Sequence, residues 1–202
     1  MNTDYTKKSR WSKEEILVYL KNHLKKSRFH HIQGVVKAAK ELAAIYGEDQ
    51  EKAELAALYH DILKDKDRNW LLSYMKRHGE EPHEGLLAWK TLHAPAGAIF
   101  AKEVCGEEDE DILNAVRFHT TGRTDMTLLE KIIFVADYIE EGRSFPEVDE
   151  LRSLARLDLD QAVLASLESS IRHLSEMNEH VMSLSLEAEA YYREVTRRKD
   201  SI

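Results

Sequence analysis

Proline and glycine are scarce, three and eight among 202 residues, and cysteine occurs once. So few breakers leave long stretches free to remain helical, and alternation of β-branched residues is also rare. These absences argue against a sheet-based fold and predict an all-α chain. The lone Cys105 excludes an intrachain disulfide and a cysteine-ligated zinc knuckle, and it fits a reducing compartment. No apolar run approaches the roughly 18 residues of a membrane helix. The start MNTDYTKKSRWSKEE has basic residues without the apolar segment of a secretory signal, so the expected location is the cytoplasm. Positive charge is not in excess either. The 29 Lys+Arg stand against 37 Asp+Glu, a net charge of -8. That balance argues against general nucleic-acid binding and leaves room for a small phosphorylated substrate met by local cations.

The pattern that remains is helical almost throughout. Ser12 with Glu15 has the form of a capping box opening a first helix. Ile32, Val35, Val36, Ala39, Leu42, Ala43 and Tyr46 recur at helical spacing until Gly47, and His31 shares their buried side one turn before Val35. A third helix starts near Asp49 and runs through AELAALYHDILK. A short helix is expected around Trp70 to His78, followed by the connection GEEPHEG. Pro95 in the first turn of the next helix places His93 at its N-terminal edge. A helix from about Glu108 ends at His119 and the loop Thr120 to Thr124. Thr127 with Glu130 caps a helix that carries Asp137 and stops at Gly142. Two or three further helices follow Pro146, expected to close the core or to form a subunit contact in a homodimer. The length suits one domain, divided here into an N-terminal lead (1–27), a core (28–157) and C-terminal helices closing the same domain (158–202).

The residues that carry chemistry are His31, His60, Asp61, His93, His119 and Asp137. An imidazole and a carboxylate side by side between Tyr59 and Ile62 are expensive to desolvate unless something pairs with them. A metal ion satisfies both. Mixed nitrogen and oxygen donors suit iron, manganese, cobalt or zinc, whereas magnesium and calcium prefer mostly oxygen. Open coordination positions on such an ion activate water and polarise a phosphoryl oxygen. His23, His30, His78, His83, His173 and His180 lack such surroundings and are expected to be surface or structural residues.

The order His, His-Asp, Asp resembles the signature of the HD-domain metal-dependent phosphohydrolases. The segments RFHHIQGV, LAALYHDILKD, LHAPAGA, AVRFHTTGR and KIIFVADYIEEGRSFP, spread over about Arg28 to Leu157, look like the symmetrical dinucleoside tetraphosphate hydrolase branch. The resemblance implies an all-α HD-domain helical bundle with the metal site at its centre. His31, His60, Asp61 and Asp137 match the family's principal ligands. His93 and His119 complete the six-residue pattern of dinuclear members, in which the doublet Asp61 is able to bridge two metals, so one ion or two is expected. Iron is expected first, with manganese or cobalt as alternatives. The implied substrate is diadenosine tetraphosphate, cut to two ADP.

Charge stabilisation of the transferred phosphoryl group then requires cations nearby. Lys64, Arg28, Arg123 and Arg143 are candidates, together with the hydroxyls and backbone of Thr120, Thr121 and Gly122. Asp61, Lys64, His93 and His119 are the candidate catalytic residues, and Glu140 is placed to support a ligand or to pair with Arg143. The same six residues remain compatible with another nucleotide substrate, with a dinuclear-iron oxygenase, and with a non-catalytic nucleotide-binding module.

Overall fold

A computed structural model describes residues 10–81 and 89–199. His83 and the end of the GEEPHEG connection lie outside the described residues. Ten α-helices and no strands occur among those described: α1 Lys13–His23, α2 Lys26–Tyr46, α3 Gln50–Tyr59, α4 Arg68–Arg77, α5 His93–Glu103, α6 Glu110–Phe118, α7 Leu128–Ile139, α8 Val148–Leu157, α9 Leu159–Glu176 and α10 Ser183–Lys199. Local chemistry sets the ends. Ser12 and Thr127 form complete capping boxes with Glu15 and Glu130. Gly47, at φ +78°, ends α2 in the left-handed conformation that a residue without Cβ adopts without strain. Asp158 both ends α8 and accepts from the Asp160 and Gln161 N–H groups of α9.

The middle of the bundle is α7. Leu129, Ile132, Ile133, Phe134, Val135, Ala136 and Ile139 are all buried, so the helix is apolar nearly all round. It packs against α2, α3, α6, α8 and α9. Each fully buried isoleucine there contributes about 1.5–3 kcal/mol relative to exposure. The C-terminal helices fold back on the same core, with α10 on α9 and the Tyr192 hydroxyl accepting from the Met126 N–H at 3.1 Å.

One expected helix is shorter than its hydropathy suggests. The AELAALYHDILK pattern continues past the doublet, yet α3 stops at Tyr59 and gives way to turns closed by Ile62 N–H to Tyr59 O, Lys64 N–H to Asp61 O and Lys66 N–H to Leu63 O. The cause lies in the His60 side chain. Its Nδ1 donates to Ala57 O at 2.6 Å, the carbonyl that a continuing helix would offer to the Asp61 N–H. His119 does the same at the end of α6, with Nδ1 2.7 Å from Val116 O.

Candidate metal centre

Five elements converge on one buried point. His31 comes from the second turn of α2, His60 and Asp61 from the end of α3, His93 from the first turn of α5, His119 from the end of α6, and Asp137 from α7. All six expected ligands are therefore brought together. His31 Nε2 lies 3.0 Å from Asp137 Oδ1 and 3.7 Å from Asp61 Oδ2, and His60 Nε2 lies 3.4 Å from that same oxygen. The other Asp61 oxygen, Oδ1, faces His93 Nε2 at 3.1 Å and His119 Nε2 at 3.7 Å. One carboxylate thus presents its two oxygens to two pairs of imidazoles.

The protonation pattern leaves lone pairs pointing inward. His60, His93 and His119 each donate Nδ1–H to the backbone carbonyl three residues earlier, Ala57, Lys90 and Val116. His31 donates Nδ1–H to Glu140 Oε1 at 3.0 Å. In the neutral ring each Nε2 is then an acceptor, which is the tautomer a metal ligand needs. His31 Nε2, His60 Nε2 and Asp61 Oδ1 are buried with no hydrogen-bond partner, although carboxylate oxygens and imidazole nitrogens crowd around them. Acceptors facing acceptors at 3.0 to 3.7 Å repel one another unless a cation lies between them. Donors bound to one ion at about 2.1 Å, at right angles, sit about 3.0 Å apart. The residues present fit a divalent metal.

Electrostatics agree. Burial opposes ionisation of Asp61, but the neighbouring imidazoles, His60 foremost with His119 and His93, hold its carboxyl well below the usual range. Asp137 is likewise held well down, against burial, by His31, His60 and Arg143. Burial, with Lys64 beside it, lowers His93 from 6.5 to about 4, and burial lowers His119. Burial also pulls His60 down, but the neighbouring Asp61 outweighs it and the net shift is upward. Two ionised carboxylates in a buried pocket demand positive charge, and in the absence of metal His60 carries part of that demand.

The expected cations divide into two groups. Arg28 Nη1 donates to Asp61 Oδ2 at 2.7 Å, Lys64 Nζ lies 3.1 Å from His93 Nε2, and Arg143 Nη2 donates to Asp137 Oδ1 at 2.6 Å. Arg123 is turned elsewhere. Its guanidinium holds the buried Glu130 through Nε at 2.9 Å and Nη2 at 2.8 Å, because the Thr127 capping box places that carboxylate beneath it. Thr121 donates to the Gly122 carbonyl, and Gly122, at φ +64°, makes the turn against Phe134, Leu167 and Ala188. The Thr120 hydroxyl is buried without a partner and lines a cavity of about 460 Å³ beside the His93 and His119 end of the cluster.

Other walls of that cavity had no signal in hydropathy. Lys90, Phe134, Leu167, Ser170 and Ile171 line it, and so does His180. A second cavity, of about 510 Å³, adjoins Arg143 at the Asp137 end and takes His173 and Ser170 as walls. Helix α9, expected to close the core or to contact another subunit, borders both. Small polar Ser169 and Ser170, interrupting the apolar Leu167, Ile171 and Leu174, are the only sequence trace of this. His23, His30, His78, His173 and His180 are exposed, as expected of residues outside the cluster.

A buried His/Asp cluster assembled on helices of one bundle defines a candidate divalent-metal centre. The chain belongs to the HD domain family, whose model matches residues 28–142. It is 45% identical over 82% of its length, and 88% of the relative's, to the symmetrical bis(5'-nucleosyl)-tetraphosphatase of Halalkalibacterium halodurans. Identity to the Bacillus subtilis enzyme of the same description is 42%, covering 84% of this chain and 91% of that one. A crystal structure from Clostridium acetobutylicum, described as a predicted HD superfamily hydrolase involved in NAD metabolism, superposes with a TM-score of 0.90 at 43% identity, covering 92% of this chain and 99% of that one.

Proposed function

We propose that this protein hydrolyses diadenosine tetraphosphate, and dinucleoside tetraphosphates as a class, symmetrically to two nucleoside diphosphates. The observation that carries this is Asp61. Its two oxygens face separate imidazole pairs, with Arg28, Lys64 and Arg143 within reach of the same carboxylates. His31, His60 and Asp137 with Asp61 would hold one ion, and His93 and His119 with Asp61 a second. Iron is the expected metal, with manganese or cobalt able to serve. When bound, such ions activate water and stabilise charge on phosphoryl oxygens.

The chain's own residues supply the rest. Water attacks a central phosphorus, the bond from that phosphorus to the central bridging oxygen breaks, and the bridging oxygen leaves with the second ADP. The attacking water's proton passes to solvent. Lys64 and Arg28 sit on opposite oxygens of Asp61 and are placed to meet phosphate oxygens beside it. Arg143, anchored on Asp137, stays charged for the leaving half. His93 and His119, neutral at physiological pH, suit ligation rather than proton donation to the leaving group. One nucleoside fits the cavity at Thr120, whose volume lies within the roughly 300–1,000 Å³ of small-molecule sites.

The net charge of -8 supports a free nucleotide over a nucleic acid as substrate. The cytoplasm is the proposed location, supported by the single cysteine. Residues 158–202 are read as part of the same domain as 28–157, and a homodimer through the C-terminal helices belongs to this reading, with Leu186 of α10 exposed.

The deciding experiment loads purified protein with iron, manganese or cobalt under reducing conditions, adds diadenosine tetraphosphate and analyses the products. ADP as sole product is expected. Equal AMP and ATP overturn symmetrical attack, and oxygen uptake without nucleotide turnover selects the oxygenase chemistry instead.

A further inference from the structure

We propose that the cavity between Tyr138, Arg143, Phe145 and α9 is a second nucleoside site, taking the departing half of a dinucleoside tetraphosphate. This rests on the substrate reading above and adds to it where the second half of the substrate is held.

A dinucleoside tetraphosphate is two-fold symmetric about its central bridging oxygen. Breaking a bond to that oxygen leaves each nucleoside two phosphates from the cut, so nucleoside positions on both sides of the attacked phosphorus would hold the two halves of the substrate alike. The fold provides two cavities placed that way. One, of about 460 Å³, adjoins the His93 and His119 end through Lys90 and Thr120. The other, of about 510 Å³, adjoins the Asp137 end through Arg143, which donates to Asp137 Oδ1 at 2.6 Å. Phe134 and Tyr138, one turn apart on α7, contribute to the first and second respectively, and Ser170 of α9 is shared by both. The two helices therefore carry a nucleoside-sized space on either side of the ligand Asp137.

The chemistry of the second cavity matches a nucleoside diphosphate. Tyr138 and Phe145, ring centroids 5.1 Å apart in an edge-to-face pair, offer aromatic surface to a base. Ser169 and Ser170 offer hydroxyls for a ribose or a ring nitrogen, and Arg143 stands between this wall and the ligand cluster, where the phosphates of the leaving group emerge.

The test measures radiolabelled ADP binding to metal-loaded protein by equilibrium dialysis, alongside diadenosine tetraphosphate kinetics. Wild type is expected to bind two ADP per chain. Ser169→Trp, which fills the second cavity, is expected to bind one and to lower kcat/KM about tenfold or more, through KM, with ADP still the sole product. Phe145→Ala, which removes one aromatic wall, should move both quantities the same way, so the test does not depend on the tryptophan variant folding. One ADP per wild-type chain, together with unchanged KM in a folded variant, overturns the second site while leaving symmetrical hydrolysis intact. Absence of diadenosine tetraphosphate cleavage by wild type refutes the underlying reading instead.

Discussion

Gly34→Ala should weaken metal binding, against the usual sign of that substitution. In a helix interior the change normally stabilises by about 0.5–1 kcal/mol, because alanine loses less backbone freedom on folding. Gly34 lies within α2, one turn after His31, and a Cβ built there collides with Glu140 Oε2 and approaches Glu140 Cδ to 3.2 Å and Cβ to 3.4 Å. The carboxylate has no free direction. Its Oε1 accepts from His31 Nδ1 at 3.0 Å, its Oε2 accepts from the Gly142 N–H at 2.6 Å, and a Cβ on Gly142 would itself stand 3.0 Å from each oxygen. Relief requires a retreat of roughly 1 Å, enough to break the bond to His31. Hydrogen bonds to charged groups contribute about 1.5–3 kcal/mol, and losing a partner that orients a ligand histidine lowers metal affinity about 10- to 100-fold. The assay is competition against a chromophoric chelator, with Asp61→Ala as the non-binding reference, and thermal unfolding with and without metal. The expected outcome is weaker binding and a smaller gain in Tm on metal loading. Wild-type affinity together with a raised Tm would refute the role assigned to Glu140.

Arg123→Ala should act on stability, not on substrate. Removing the guanidinium leaves Glu130 buried and uncompensated, a loss of about 3 kcal/mol, while KM for diadenosine tetraphosphate stays near wild type. A raised KM at unchanged Tm would make Arg123 a phosphate contact after all. In metal-free protein, His93 accepts a proton near pH 6.5 when unfolded and near 4 when folded. The unfolded state therefore binds more protons across that window, and stability contributed by His93 is lost as pH falls from about 6.5 to about 4, at up to about 1.4 kcal/mol per pH unit. The depressed carboxylates of Asp61 and Asp137 act in the same direction at lower pH, and His60, shifted upward, opposes them. Tm scans of metal-free wild type and His93→Gln should show a shallower decline in the variant over this window, and equal slopes would remove His93 from the account.

How much of this was legible beforehand follows from what each feature depends on. Asp137 and the His60-Asp61 doublet stand out because unpaired polar groups in apolar helical segments are costly, a one-dimensional signal. The caps at Ser12 and Thr127 are equally local. The end of α3 is not, since Ile62 and Leu63 continue the apolar pattern and only the His60 side chain, competing for the Ala57 carbonyl, stops it. Arg123 beside Thr120 and Thr121 reads as a phosphate loop until the buried Glu130 appears below it. The walls that α9 lends to both cavities depend on tertiary packing, and Leu167 or Ile171 cannot be told from ordinary core by spacing.

The four imidazoles of the cluster differ in the way each is held. His60 and His119 stand where helices end, and His93 where one begins, so a backbone carbonyl three residues earlier is free to accept Nδ1–H and fix the tautomer. His31 stands inside α2, where the Arg28 carbonyl belongs to the helix ladder. An imidazole inside a helix must find its orienting acceptor on another element, and Glu140 at the end of α7 provides it. Bringing that carboxylate against α2 requires a surface without Cβ at Gly34, and closing the turn around it favours another glycine at Gly142. The two glycines thus accompany the placing of one imidazole of the cluster within a helix while three others sit at helix termini. The same logic makes Gly34 more exacting than Gly97, where an added Cβ would meet only ordinary contacts at 3.6 to 3.7 Å.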